Sequence, residues 1–149
     1  MLERLVDADG GAGRFTASTL SAVHNGQVER VYVHAKTAMV DDRWLTVGSA
    51  NLNARGMFND SEANVVTHDP RVVRDTRLRL WTEHLERPVE EITDAPTEVI
   101  DNVWRPMARE QGERVDRGQP RTHRLLELTP RSYHCKCFLG AIQGLVVDG

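Results

Sequence analysis

The sequence predicts an α/β protein, a mixed β-sheet flanked by helices, and three observations carry that prediction. Between Val28 and Thr67 the chain falls into short runs rich in β-branched and aromatic residues, separated by turn signals. From Pro70 to about Glu86 the apolar residues recur at helical spacing instead. The 149 residues are 40% hydrophobic and 28% charged, a balance that supports an ordinary globular core.

Taken in order, residues 1–8 read as the end of a helix, broken by Gly10-Gly11-Ala12-Gly13. Thr16 to His24 reads as a short helix or a loop, closed by the turn pair Asn25-Gly26. Val28-Glu29-Arg30-Val31-Tyr32-Val33 reads as a strand. Thr37-Ala38-Met39-Val40 and Trp44-Leu45-Thr46-Val47 read as two strands joined by the turn Asp41-Asp42-Arg43, and Glu62 to Thr67 adds another. Asp69-Pro70 opens a helix, with aspartate at the N-cap and proline at the first helical position. Its buried side is expected at Val73, Leu80, Trp81 and Leu85, and Pro88 stops it. A second helix opens at Pro96-Thr97-Glu98 with Val99, Val103 and Met107 on one face, and Pro106 is expected to kink or end it. Residues 110–120 read as an exposed linker, and Gly144-Leu145-Val146-Val147 as a last strand.

Composition narrows the function classes. The net charge is −3 and the pI about 6.1, without the basic excess of a dedicated nucleic-acid binder. The arginines between 71 and 79 sit opposite an apolar stripe and read as a solvated helix face. No run approaches the roughly 18 apolar residues of a membrane span. Met1-Leu2-Glu3-Arg4-Leu5-Val6-Asp7 is too charged for a signal peptide, an absence that carries little weight if chain precedes Met1, and a cytoplasmic or peripheral-membrane setting is the expectation. Cys135 and Cys137, one residue apart, would form a strained disulfide. With His123 and His134 they fit no standard zinc spacing and read as ordinary thiols.

The chemistry concentrates elsewhere. His34-Ala35-Lys36, Asp41 and Gly48-Ser49-Ala50-Asn51 form the pattern His-x-Lys-x4-Asp-x6-Gly-Ser-x-Asn. At average residue frequencies, six such fixed positions arise at a given start on the order of once in 10⁸. That rarity sets the joint pattern apart from a lone strand histidine or a solvated lysine. Residues i and i+2 of a strand share a face, so His34 and Lys36 are expected to project together. The hairpin then returns Ser49 and Asn51 to the same mouth. Lys36 offers a point charge, and Ser49 and Asn51 neutral donors, to phosphate oxygens. An imidazole can serve as nucleophile or as general acid and base. These donors already offset phosphate charge, so neither metal nor cofactor is called for. Glu62, thirteen residues after Ser49, is the proposed partner for one imidazole nitrogen. Asp41 either joins the chemistry or holds the turn.

These residues resemble the phospholipase D superfamily, whose signature is the HKD motif. Val31-Tyr32-Val33-His34-Ala35-Lys36, Val40-Asp41-Asp42, Val47 to Asn53 and Asp60-Ser61-Glu62 are similar to the second HKD block of its lipid-cleaving members. Leu78 to Leu85 is similar to the helix that follows it there, so the likeness covers about residues 28–86. Gly56 departs from the family, which usually carries serine there, and is expected to loosen the loop. The resemblance implies a sheet flanked by helices, two similar halves, and an active site at their junction. Residues 1–87 would form one catalytic half, and 88–149 a helical and loop extension packed on it. It also implies phosphodiester hydrolysis or phosphatidyl transfer through a phosphohistidine. His34, Lys36, Asp41 and Glu62 are the expected catalytic residues, and Lys36, Ser49 and Asn51 the phosphate-binding ones. Only one motif is present, and 33 residues precede it, so a C-terminal piece of a two-motif enzyme, inactive by itself, is expected. The expected partners are a phospholipid at a membrane surface and a missing half or second subunit, not nucleic acid. The alternatives are a cardiolipin synthase-type phosphatidyltransferase and a homodimeric single-motif nuclease. Met57-Phe58, just past the loop, could touch a membrane or pack locally.

Overall fold

The computed structural model describes residues 2–25 and 27–129. In chain order it forms α1 (Leu2–Asp9), β1 (Ser18–His24), β2 (Gln27–Arg30), β3 (Lys36–Val40) and β4 (Trp44–Gly48). Then follow α2 (Ala54–Phe58), β5 (Asn64–Thr67), α3 (Pro70–Leu85), α4 (Pro96–Val99), α5 (Arg105–Asp116) and β6 (Leu125–Glu127). The α/β class is the one the sequence predicts, and every strand pair among the described residues is antiparallel, in two three-stranded sheets. The chain divides into two compact units. Tyr32–Ile100 is one, and the segments before Tyr32 and after Ile100 make the other.

The flanking unit carries the sheet β2-β1-β6. Thr16 to His24, expected as helix or loop, is largely β1, because pairing on both edges overrides its mixed local propensity. Asn25, with φ 49°, takes the left-handed conformation that a tight hairpin needs. The expected linker at 110–120 is mostly α5. Ala108 and Gln111 are buried there, and Gln111 Oε1 accepts from the backbone N–H of Thr122 at 2.9 Å and of His123 at 3.2 Å. Pro106 does not end the helix. Residues 96–116 run on as α4, a π-turn at Ile100–Trp104 and α5, and the widened turn just before Pro106 is the distortion by which the helix accommodates the missing N–H. Arg121 is buried, donating to Ser21 Oγ at 2.9 Å and to the carbonyls of His123 and Arg124 at 3.1 and 2.7 Å. The expected strand at 144–147 and the thiols Cys135 and Cys137 lie outside the described residues.

The central unit carries the sheet β3-β4-β5. At the β3–β4 hairpin tip Asp41 and Asp42 have φ of 49° and 52°, and Arg43 N–H donates to the Val40 carbonyl at 2.9 Å. Two left-handed residues in succession make a mirror-image turn, and Asp41, Asp42 and Arg43 lie between the paired Val40 and Trp44. Helix α3 starts as its sequence predicts, with Asp69 Oδ1 accepting from Arg71 N–H at 2.9 Å, and ends on Glu86 in the left-handed conformation. Its buried residues are Val73, Arg77, Leu78 and Leu85, so Leu78 takes the place expected for Leu80. Val73, Leu85, Ile92 and Val99 are at most 2% exposed and form this unit's core with Leu45 of β4. Full burial of each large side chain contributes roughly 1.5–3 kcal/mol.

Arg77 corrects the reading of 71–79 as a wholly solvated face. Its side chain is 4% exposed and grips Asp42 through two parallel bonds, Nε to Oδ1 at 2.7 Å and Nη2 to Oδ2 at 2.8 Å. Its guanidinium also lies 4.6 Å from the Trp81 ring centroid. A charged residue in an apolar stripe is stable only when paired in this way. The pair ties α3 to the hairpin tip, and the Arg77 guanidinium holds the Asp42 carboxyl below the usual carboxylate range.

Candidate active site

The residues of the rare pattern other than Asp41 gather at the hairpin end away from its tip. Lys36 pairs with Gly48 across the ladder, and Gly48 pairs with Asn64 of β5. His34 is two residues before that rung, Ser49 one residue and Asn51 three residues after it. His34 itself lies outside the strands. β2 stops at Arg30, and residues 31–35 run without a ladder partner.

His34 and Lys36 do meet, although His34 precedes β3 and the strand geometry expected to bring them together is absent. Lys36 Nζ is 2.6 Å from His34 Nε2. With the ammonium as donor, Nε2 is the acceptor and the ring proton sits on Nδ1. The Tyr32 ring stacks on that of His34, the centroids 5.7 Å apart at an interplanar angle of 22°. One ring nitrogen and one ring face of His34 are therefore held by its neighbours at i±2. His34 is exposed and Lys36 half-buried, so solvent and ligands reach both.

Ser49 and Asn51 are built from the β5 side. Ser49 N–H donates to the Ala63 carbonyl at 3.1 Å, and Ala63 N–H returns a 3.0 Å bond to Ser49 Oγ. The Ser49 hydroxyl keeps its own proton to donate. Asn64 Oδ1 accepts from Ala50 N–H at 3.2 Å, while its Nδ2 donates to Thr46 Oγ1 at 3.1 Å. The Asn64 carboxamide and the Ala63 carbonyl lie where a Cβ on residue 48 would be, which explains the glycine of Gly-Ser-x-Asn. No hydrogen bond joins Ser49 to His34 or Lys36. The backbone brings the two pairs to one end of the hairpin, and a common ligand would have to bridge them.

Asn53 caps α2 by accepting from Gly56 N–H at 2.6 Å. Gly56 does not loosen this loop as its departure from the family suggests. It is buried, and a Cβ there would come 2.9 Å from the Asn51 carbonyl oxygen and 3.0 Å from the Asn51 nitrogen.

Two expected catalytic residues stand apart. Asp41 is on the hairpin tip, five residues beyond Lys36, or roughly 16 Å at a strand's rise. Its place is that of a turn residue. Glu62 is half-buried in the segment leading into β5, and no hydrogen bond or ion pair joins it to His34. The contacts of His34 run to Tyr32 and Lys36 instead. Sequence reasoning misses Asn64 and the Asp42–Arg77 pair and misreads Gly56. Asn64 had a signal, as a polar residue opening an otherwise apolar strand. The other two depend on contacts 5 and 35 residues away along the chain. Leu52 is 82% and Phe58 84% exposed beside the Ser49–Asn51 segment, with Met57 exposed between them. Among the described residues no helix is long and apolar enough to cross a membrane.

Comparison with known proteins places the chain in a family. The family described as cardiolipin synthase, PLD-like domain, matches residues 5–82, just over half of the chain. The chain is similar to Phospholipase D A of Dictyostelium discoideum, with 40% identity over 75 residues, covering 38% of this chain and 6% of that protein. It is 34% identical to Phospholipase D B of the same organism over 102 residues, 54% of this chain and 8% of that one. It is 33% identical to Phospholipase D alpha 1 of Vigna unguiculata over 104 residues, 56% of this chain and 13% of that one. The chain thus spans only a small part of the length of these relatives. The paired His34 and Lys36, the Gly-Ser-x-Asn turn buttressed from β5, and a family match that includes them all lead to one assignment: this chain belongs to the phospholipase D-like family.

Proposed function

We propose that this chain contributes one half of a phosphodiesterase active site that cleaves, or transfers, the phosphatidyl group of glycerophospholipids. The observation that carries the reading is the contact of Lys36 with His34 Nε2 at the end of the hairpin that also bears Ser49 and Asn51. Membership of a family whose curated relatives are phospholipases D supports it. A phosphate arriving there offers Lys36 a full negative charge, which a neutral imidazole does not. Lys36 then moves to a phosphate oxygen and leaves His34 Nε2 to the reaction. Ser49 and Asn51 donate to the remaining oxygens, where charge builds in the transition state.

The two-step reaction needs a second histidine, which a second HKD-bearing half or subunit would supply at a membrane surface. One imidazole attacks phosphorus, a P–N bond forms, and the P–O bond to the headgroup breaks. The other imidazole gives its proton to the departing alkoxide, then takes one from water or an acceptor alcohol that releases the phosphatidyl group. By its likeness to a second motif, His34 takes the acid and base part. Asp41 serves the turn, and Glu62 approaches His34 only if its segment shifts on completion of the site. The isolated chain, with one such motif, is expected to be inactive.

The test is headgroup release from phosphatidylcholine vesicles by a protein joining this chain to a second HKD half. Release that falls at least a thousandfold in His34→Ala supports the proposal, and release unchanged in that variant removes it. The family description favours one second reading, phosphatidyl transfer of the cardiolipin synthase type. Supplying phosphatidylglycerol as acceptor separates the two, because transfer yields a diphosphatidyl product and hydrolysis yields phosphatidic acid. A metal-independent nuclease is disfavoured by the acidic balance of the chain.

A further inference from the structure

We propose that Tyr32 is the positioning residue of His34, holding the imidazole by its ring face and so taking the part expected of Glu62. The inference rests on the phosphodiesterase reading for its consequence, but on the contacts of His34 for its substance. His34 is exposed, and residues 31–35 have no ladder partner, so the backbone around it does little to fix the ring. Among the described residues, two side chains restrain it. Lys36 Nζ lies 2.6 Å from Nε2, and the Tyr32 ring stacks on the imidazole with centroids 5.7 Å apart and planes 22° from parallel. Glu62 joins it by no hydrogen bond or ion pair.

The two restraints differ in what a bound phosphate leaves of them. Lys36 holds the imidazole only while its ammonium stays on Nε2, the nitrogen that the reaction needs free. Once a phosphate oxygen takes the ammonium, that anchor is gone. The stack uses neither ring nitrogen, so phosphate binding and proton transfer at Nε2 both leave it in place. It also fixes more than a single hydrogen bond would. A near-parallel stack sets the plane of the imidazole, and with it the direction in which Nε2 points, because a turn about either side-chain torsion of His34 breaks the overlap. Tyr32 is itself 67% exposed and fills no core position, so removing its ring opens no cavity in the central unit. Its contact with His34 accounts for an aromatic ring in so open a place.

The test compares the whole 149-residue chain with Tyr32→Leu, which removes the ring, and Tyr32→Phe, which keeps the face and loses the hydroxyl. The His34 ring signals and its Cα–Cβ couplings are followed by NMR, without phosphate and during titration with inorganic phosphate. In the parent the ring signals are expected upfield, shielded by the tyrosine, and the couplings stay those of one rotamer after phosphate has drawn Lys36 away. In Tyr32→Leu the ring signals should move downfield. With phosphate bound, the ratio of the held rotamer to the others should fall about two- to tenfold, the worth of one aromatic pair. Tyr32→Phe should restore both readouts. His34 signals unmoved in Tyr32→Leu overturn the inference, and so does a Tyr32→Phe that behaves as Tyr32→Leu. Loss of the β3, β4 and β5 amide signals in Tyr32→Leu also overturns it, since Tyr32 would then be a packing residue. A parent chain that binds no phosphate removes the phosphodiesterase reading, while the phosphate-free ring signals still decide the role of Tyr32.

Discussion

Replacing Asp42 with alanine should cost the central unit more stability than its place on a surface hairpin suggests. The Arg77 side chain is 4% exposed, and both of its bonds to Asp42 are short and parallel. Removing the carboxylate leaves a buried guanidinium whose Nη1 already lacks a partner. Breaking a buried pair from one side costs about 3–5 kcal/mol. Asp42 keeps 22% of its side chain exposed, and water admitted there moves the cost to the low end, about 3 kcal/mol. For a unit of this size each kcal/mol moves Tm by roughly 4–8 °C, so a fall on the order of 15 °C is expected at pH 7. The pH dependence has a definite sign. Arg77 holds the Asp42 carboxyl below its ordinary value of 3.8, so the folded state binds that proton less readily than the unfolded one. The contribution is present above that ordinary value and is lost as pH falls through the depressed folded value. Thermal melts from pH 7 down to pH 2 should therefore converge for parent and Asp42→Asn as acid is added. A Tm within 2 °C of the parent for Asp42→Ala at pH 7 would refute the reasoning.

Gly48→Ala should disrupt the turn between β4 and β5, because its methyl group would overlap the Asn64 side chain and the Ala63 carbonyl. A loss of about 2 kcal/mol or more in urea unfolding is expected. Arg121→Met should lower the stability of the flanking unit by about 2 kcal/mol, since Ser21 Oγ and two carbonyls lose their donor. A gain on removing this buried cation would show that desolvation outweighs its bonds. Phe58→Ser should weaken flotation with phosphatidylcholine vesicles several-fold if Leu52 and Phe58 meet a membrane surface, and leave it unchanged if they pack against another protein half.

Much of this was legible in the sequence because it is local. The hairpin follows from alternation around Asp41-Asp42-Arg43, and the start of α3 from Asp69-Pro70. The meeting of His34 and Lys36 matches the expectation, but not its reason, since His34 precedes β3 and is not in a strand. What escaped depends on partners far along the chain. Arg77 looked solvated because its aspartate is 35 residues away, and β1 looked like helix or loop because the strand that pairs its far edge lies beyond residue 120. Gly56 was misread for the same reason. A glycine suggests looseness until the backbone against it is known. Asp41 has the spacing of a catalytic residue and the backbone of a turn residue, and spacing alone does not separate the two.

The claim on which the account depends is that the groups of His34, Lys36, Ser49 and Asn51 bind one phosphate. Titrating the chain with inorganic phosphate, while following the imidazole signals of His34 and the side-chain amide of Asn51 by NMR, tests it directly. The account predicts that both sets of signals move with a single dissociation constant, and that both responses vanish in Lys36→Met. Signals that stay still, or that move with unrelated constants, would contradict it.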